Sequence, residues 1–240
     1  MWNRLCEAPN WASILLARFG MPWQVTDYEA PVMMAGDTAA FFGDAEIDQM
    51  LRRAIVLDGI AAAILAERGY EALIGVRTEK KETLRINFER YGENKAFYGR
   101  YAGTRNYVES SNVPRLIPVS DTVRVISEFI SVPAYQSTEE SVVTPAVTLY
   151  VDENGGRVAV FWVVPGLGGL GTLNDRIKSQ LIGVLGWVAG APIPVWTVGT
   201  ADTFLRFGRL SDTEYLMGVI NLNPDAISPL VVEMPVYSTR

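Results

Sequence analysis

Histidine is absent from all 240 residues of the chain. Its absence excludes Ser-His and Cys-His nucleophile pairs and histidine-based metal sites, leaving carboxylates, Lys, Tyr, Ser and Thr for any chemistry. Cysteine is nearly absent too: Cys6 stands alone, so no intrachain disulfide can form. Clustered positive charge is also missing. With 21 Lys and Arg against 27 Asp and Glu, the net charge is −6, and no basic run offers the electrostatic footprint that nucleic acid requires. The first residues, MWNRLCEAPNW, lack the apolar core of a signal peptide. The compartment therefore stays open, with the cytoplasm as default, since an export signal of a longer parent would lie outside this sequence. One uncharged stretch, Ser179 to Ala201, is long enough on its face to span a bilayer. Gly183, Gly186, Gly190, Pro192 and Pro194 interrupt it and would leave backbone groups that lipid does not satisfy. A buried helix followed by a strand is the expectation there, and no membrane partner is expected.

What is present begins with 49% hydrophobic content, ample for a buried core in one large or two ordinary domains. The segment from Asp37 to Val76 is the most regular. Val32 to Met34 reads as a strand leaving through Gly36 and Asp37. Asp44 then stands where a helix cap is needed, and Ile47, Met50, Leu51 and Ala54 recur at helical spacing. Ile55 to Leu57 forms a second short apolar run ending at Asp58-Gly59, Ile60 to Arg68 a second helix closed by Gly69, and Leu73 to Val76 a third strand. Asn10 to Phe19 and Pro22 to Thr26 add a helix and a strand upstream. Strands alternating with helices across short connections predict an α/β fold with an open parallel sheet of the flavodoxin or class I amidotransferase type.

After Val76 the period changes. Leu84 to Tyr91, Phe97 to Tyr101 and Val123 to Val132 read as strands, and Val142 to Val151 with Arg157 to Val164 reads as a hairpin around the turn Asp152 to Gly156. Asn174 caps a predicted helix with apolar positions Ile177, Leu181, Val184, Leu185 and Val188, ending at Gly190. Ile193 to Val198, Phe204 to Leu210, Tyr215 to Leu222 and Leu230 to Val236 suit a small antiparallel β-sandwich. The expected organisation is thus residues 1–190 as an α/β domain with a long antiparallel insertion at about 83–164, and 191–240 as a small β domain.

Residues 35–76 resemble a block of large glycoside hydrolases of the β-galactosidase kind. In glycoside hydrolase family 42 it belongs to the amidotransferase-like, trimerisation-type domain that follows the catalytic barrel. Tyr215-Leu-Met-Gly-Val-Ile-Asn-Leu222 is similar to the strand running into Asn that marks the small β domain ending such proteins. The resemblance implies a non-catalytic accessory or assembly region. Its partners would be a glycoside hydrolase barrel in the same or another polypeptide, with further copies of itself, and it would use no cofactor and no metal. No barrel precedes the block in this sequence and the stretch from 83 to 164 is longer than the family's pattern, so no catalytic carboxylates carry over. Amidotransferase chemistry is excluded outright, because it needs a Cys-His pair and Cys6 precedes the first helix.

Three features are candidate sites. Asp37 and Asp58 each follow a predicted parallel strand, where open α/β sheets place ligands, and as a pair they would suit a carboxylate-dependent hydrolase. Capping of the following helices is the alternative. Gly166-Leu-Gly-Gly-Leu-Gly171 spells a dinucleotide fingerprint. Pro165 and the late helix start at Asn174 make it a loop instead, and Pro192 to Val198 has no acidic residue for a ribose. Tyr98, Arg100, Tyr101, Arg105 and Tyr107, interleaved with Phe97 and Asn106, combine flat apolar faces with hydrogen-bonding groups, as a carbohydrate-binding module would require. Packing as cross-strand pairs in a sheet explains the same residues.

Overall fold

The computed structural model describes residues 11–22, 31–133, 139–162, 174–199, 203–211 and 213–235. Helix α1 (Trp11–Arg18) precedes strand β1 (Val32–Met34), a 3-10 turn (Gly36–Ala40), α2 (Asp44–Leu51), β2 (Ala54–Asp58), α3 (Gly59–Glu67) and the one-turn α4 (Glu71–Ile74). The chain then enters the long β3 (Val76–Tyr91), followed by α5 (Lys95–Tyr98), a 3-10 turn (Gly99–Tyr101), β4 (Arg105–Pro118), β5 (Arg124–Ser131), β6 (Ser141–Val151) and β7 (Arg157–Phe161). Helix α6 (Asp175–Ala189) leads to β8 (Trp196–Thr197), β9 (Thr203–Arg209), β10 (Tyr215–Asn221) and β11 (Val232–Glu233).

Strands β1 to β7 form one sheet in the order β1-β2-β7-β6-β5-β3-β4. Only the β1–β2 and β2–β7 pairs are parallel; the rest are antiparallel. The expectation of an open parallel sheet is corrected accordingly: the fold is mixed α/β with a mostly antiparallel sheet. The stretch 83–164 supplies most of that sheet rather than a separate insertion. The difference turns on residues 71–76. Leu73 and Ile74 lie in α4, and Gly75, in the left-handed region at φ +78, closes that turn and directs Val76 into β3. A strand beginning there pairs with β4 and β5 instead of returning beside β2.

Helices cover both faces of the sheet around β2 and β7. Side chains alternate across each strand, so Val56, Ala159 and Phe161 face one layer while Ile55, Leu57, Val158 and Val160 face the other. The first layer is α6, whose Ile177, Leu181, Val184, Leu185 and Val188 are all buried, together with Phe19, Tyr91 and Tyr98. Ile47, Leu51, Ala61, Ala62, Leu65 and Ile74 from α2, α3 and α4 fill the second. Gly183 sets the depth of the α6 contact: a Cβ there would lie 2.5 Å from Phe97 Cα, so any side chain would push α6 off α5.

The expected β-sandwich at the C-terminus is, among the described residues, two separate two-stranded sheets, β9–β10 and β8–β11, both antiparallel. They adjoin the N-terminal helix: the Thr197 amide donates to Gly20 O at 3.0 Å, and Pro22 bridges Leu205.

Candidate functional site

The richest polar cluster lies between α6 and the sheet. Glu89 and Tyr91 sit two residues apart on β3 and point to the same face, opposite Asn106 of β4 and Ser127 of β5. Glu89 Oε1 accepts from Ser127 Oγ at 2.5 Å and from Gln180 Nε2 of α6 at 2.6 Å, so one oxygen joins helix to strand. Burial pushes its carboxyl up to about 7, and the Ser127 and Gln180 hydrogen bonds only partly restrain that rise. Tyr98 stacks on Tyr91 with ring centroids 4.6 Å apart, and its hydroxyl donates to Ile126 O at 2.6 Å. Among the described residues, the Tyr91 hydroxyl is buried without a hydrogen-bond partner. Burial, followed by the field of Glu89, raises both phenols above their ordinary range.

The rim of this cluster is the N-terminus of α6. Asn174 caps the helix, accepting from the Arg176 amide at 2.9 Å, and its Nδ2 donates to Asn106 Oδ1 at 2.7 Å. Arg176 donates to Thr104 Oγ1 at 2.7 Å and Arg105 O at 3.0 Å. Its guanidinium lies 5.2 Å from the Tyr101 ring, with Arg100 at 4.9 Å and bonded to the Tyr101 hydroxyl. Further along α6, Lys178 is buried and donates to the carbonyls of Thr197 and Gly199, pinning the segment before β9. Burial brings its ammonium down to about 8, against weak support from Asp175 and Glu233.

The sequence-predicted residues separate across this frame. Tyr98 is fully buried, and Arg100 and Tyr101 belong to the α6 rim. Arg105 and Tyr107 project from the other face of β4, where Arg105 lies 5.5 Å from the Phe88 ring and Tyr107 meets that ring edge-on at 5.6 Å. Arg90 bridges Glu128 at 2.5 Å and Glu140 beside them. The five residues therefore do not make one surface. Phe97 to Tyr101 is not a strand: Asn94 caps it by accepting from Ala96 N at 2.9 Å, and neighbouring Phe97 and Tyr98 are both buried, as one helical turn allows.

Asp58 is buried at the end of β2, its Oδ1 accepting from Ala61 N at 2.8 Å and its Oδ2 from Gly36 N at 2.7 Å. Each oxygen holds a backbone amide, and the residue caps α3. Asp37 is exposed on the 3-10 turn. Asp44 is not the cap of α2. Gly43 takes that place, its amide donating to Glu46 Oε2 at 2.8 Å, while Asp44 pairs with Arg68, which holds its carboxyl below the usual range. The glycine-rich run 166–171 lies outside the described residues. Among the described residues, no group of three His, Cys, Asp or Glu side chains is placed to hold a metal ion, and no helix is long and apolar enough to cross a membrane.

Nothing in the sequence singles out Glu89, but a signal exists for Gln180 and Lys178. Gln180 is three residues after Ile177 and four before Val184, and Lys178 is three before Leu181, so both fall on the apolar stripe of α6. A polar residue on a buried stripe must find a buried partner.

No family model and no curated protein matches the chain. Among solved structures, α-L-fucosidase isoenzyme 2 from Paenibacillus thiaminolyticus is similar over 85% of this chain and 32% of its own, at 11% identity and a TM-score of 0.51. A β-galactosidase from Bacillus circulans sp. alkalophilus matches 80% of this chain and 26% of its own, at 14% identity and TM-score 0.45. PurLQS from Thermotoga maritima matches 70% of this chain and 84% of its own, at 16% identity and TM-score 0.41. The chain thus spans about a third of the fucosidase, and at that identity the likeness is one of fold.

Proposed function

We propose that the chain is an accessory and assembly region of a glycoside hydrolase, supporting a catalytic barrel in the same or a partner polypeptide. The observation that carries this reading is that 85% of the chain superposes on a segment making up 32% of a fucosidase. The fold thus recurs as one part of a larger glycosidase. The chemistry of the buried groups agrees with a scaffold. Asp58 holds two backbone amides, Glu89 joins α6 to β5, and Lys178 fastens the segment leading to β9. Residues 1–190 form the supporting α/β unit in this proposal and 191–240 a second, smaller β unit. The purified chain is expected to leave aryl α-L-fucosides and aryl β-D-galactosides intact. Turnover that co-purifies with the chain and disappears in Asp37→Asn or Asp58→Asn would replace this reading with a carboxylate-dependent hydrolase.

A second reading rests on Tyr107, 58% exposed beside Phe88, Arg105 and the Arg90–Glu140 pair. An aromatic face next to fixed hydrogen-bonding groups suits a sugar ring. If that surface binds carbohydrate, Tyr107→Ala abolishes glycan-array signals that the Tyr101→Ala chain retains.

A further inference from the structure

Strand β10 carries an apolar sequence that the described fold leaves uncovered. Leu216 is 62% exposed, Ile220 57%, and Tyr215 and Met217 41% each. Its partner β9 is anchored, with Thr203 and Leu205 fully buried, and Tyr215 stacks on Phe207 at 5.4 Å. Among the described residues no third strand pairs with the far edge of β10. A two-stranded ribbon is marginal by itself, and an apolar strand with a free edge is a template for one more strand.

The sequence of the edge selects its occupant. No charged residue falls between Glu214 and Asp225, and the strand is near-symmetric about Gly218. Antiparallel pairing with another β10 centred there sets Met217 opposite Val219, Leu216 opposite Ile220 and Tyr215 opposite Asn221. The four inner positions set apolar against apolar, Met217 with Val219 on one face and Leu216 with Ile220 on the other, and no like charges are apposed. Gly218 leaves room at the centre, since a Cβ there would meet only Arg206 Cβ, at 4.0 Å. An antiparallel contact of a strand with its own copy is isologous, so it closes at two chains. We propose that β10 is a self-association edge, two copies of this chain joining by two-fold antiparallel pairing centred on Gly218 to make a four-stranded sheet β9-β10-β10-β9. This rests on the strand itself and stands apart from the glycosidase reading.

Sedimentation equilibrium of the 240-residue chain over about 1 to 100 μM reads the association directly. The dimer mass is expected, and Leu216→Lys with Ile220→Lys should weaken association by roughly tenfold or more. The far-UV spectrum should not change, because both positions are solvent-facing in the single chain. In a Cys6→Ser background, Gly218→Cys should form a disulfide-linked dimer under mild oxidation. Gly208→Cys, on β9 with open space around it, should not. A chain that stays monomeric throughout overturns the proposal, including one that associates only with a foreign strand. So does a dimer that is indifferent to both lysines, or one in which position 218 cross-links no better than 208.

Discussion

The seven-stranded sheet and the β9–β10 ribbon use similar residues to opposite ends. In the sheet, four of the five residues of β2 are buried and the helices close both faces; along β10, six of seven residues are exposed. Apolar content therefore does not by itself say where a core is. What separates the two regions is cover: β2 has a strand on each side and a helix layer on each face, while β10 pairs, among the described residues, with one strand. The first region buries its apolar residues within the single chain, and the second leaves most of those on β10 exposed.

Truncation in the sheet tests the first half of that contrast most severely. Leu57→Ala removes a fully buried side chain from β2, and urea unfolding should report a loss of about 3 kcal/mol or more. A loss below 1 kcal/mol would mean the sheet is not the stabilising region. An effect of similar size, but dependent on pH, sits where α6 meets the sheet. The Glu89 carboxyl is raised from 4.5 to about 7, so between those values the folded chain keeps a proton that the unfolded chain releases. Stability is then fully present below about pH 4.5, declines as pH rises, and is lower by about 3 kcal/mol above pH 7 as far as this group is concerned. Glu89→Gln retains an uncharged amide among Ser127, Gln180, Tyr91 and Tyr98, so its denaturation midpoint should vary less over that range. Equal pH profiles for the two proteins would show that Glu89 does not govern the helix–sheet contact. The smallest effect belongs to the ribbon: Leu216→Ala, measured at a dilution where the chain is monomeric, should change unfolding stability by no more than about 0.5 kcal/mol.

Local signals in the sequence located several elements well. The apolar spacing of α6, the Asn174 cap and the Gly190 stop are all present, and the Asp152–Gly156 turn joins β6 to β7 as its composition suggests. There Asp152 Oδ1 accepts from Asn154 N and Gly156 N, each at 2.8 Å. Sheet direction was less legible, because pairing is decided between residues far apart in the chain. Nothing near Val76 announces that it will face Pro118 rather than lie beside β2. Aromatic residues misled for a related reason: Phe97 and Tyr98 have strand-like composition, but an Asn cap and Gly99 at φ +54 confine them to one helical turn. Of the candidate residues, Asp58 proves to hold two amides. The buried Glu89 escaped notice because a lone carboxylate in a strand ordinarily faces solvent.

The position of β7 has a consequence for how the chain acquires its shape. This strand is the last of the sheet to leave the ribosome, yet it lies between β2 and β6 and is the parallel partner of β2 across about a hundred residues of sequence. Until it arrives, the β1–β2 pair has an open side and the antiparallel strands have nothing to join. The two halves of the sheet can therefore join only once β7 is in place, and a nascent chain stopped short of Phe161 would expose the apolar edge of β2 to its neighbours.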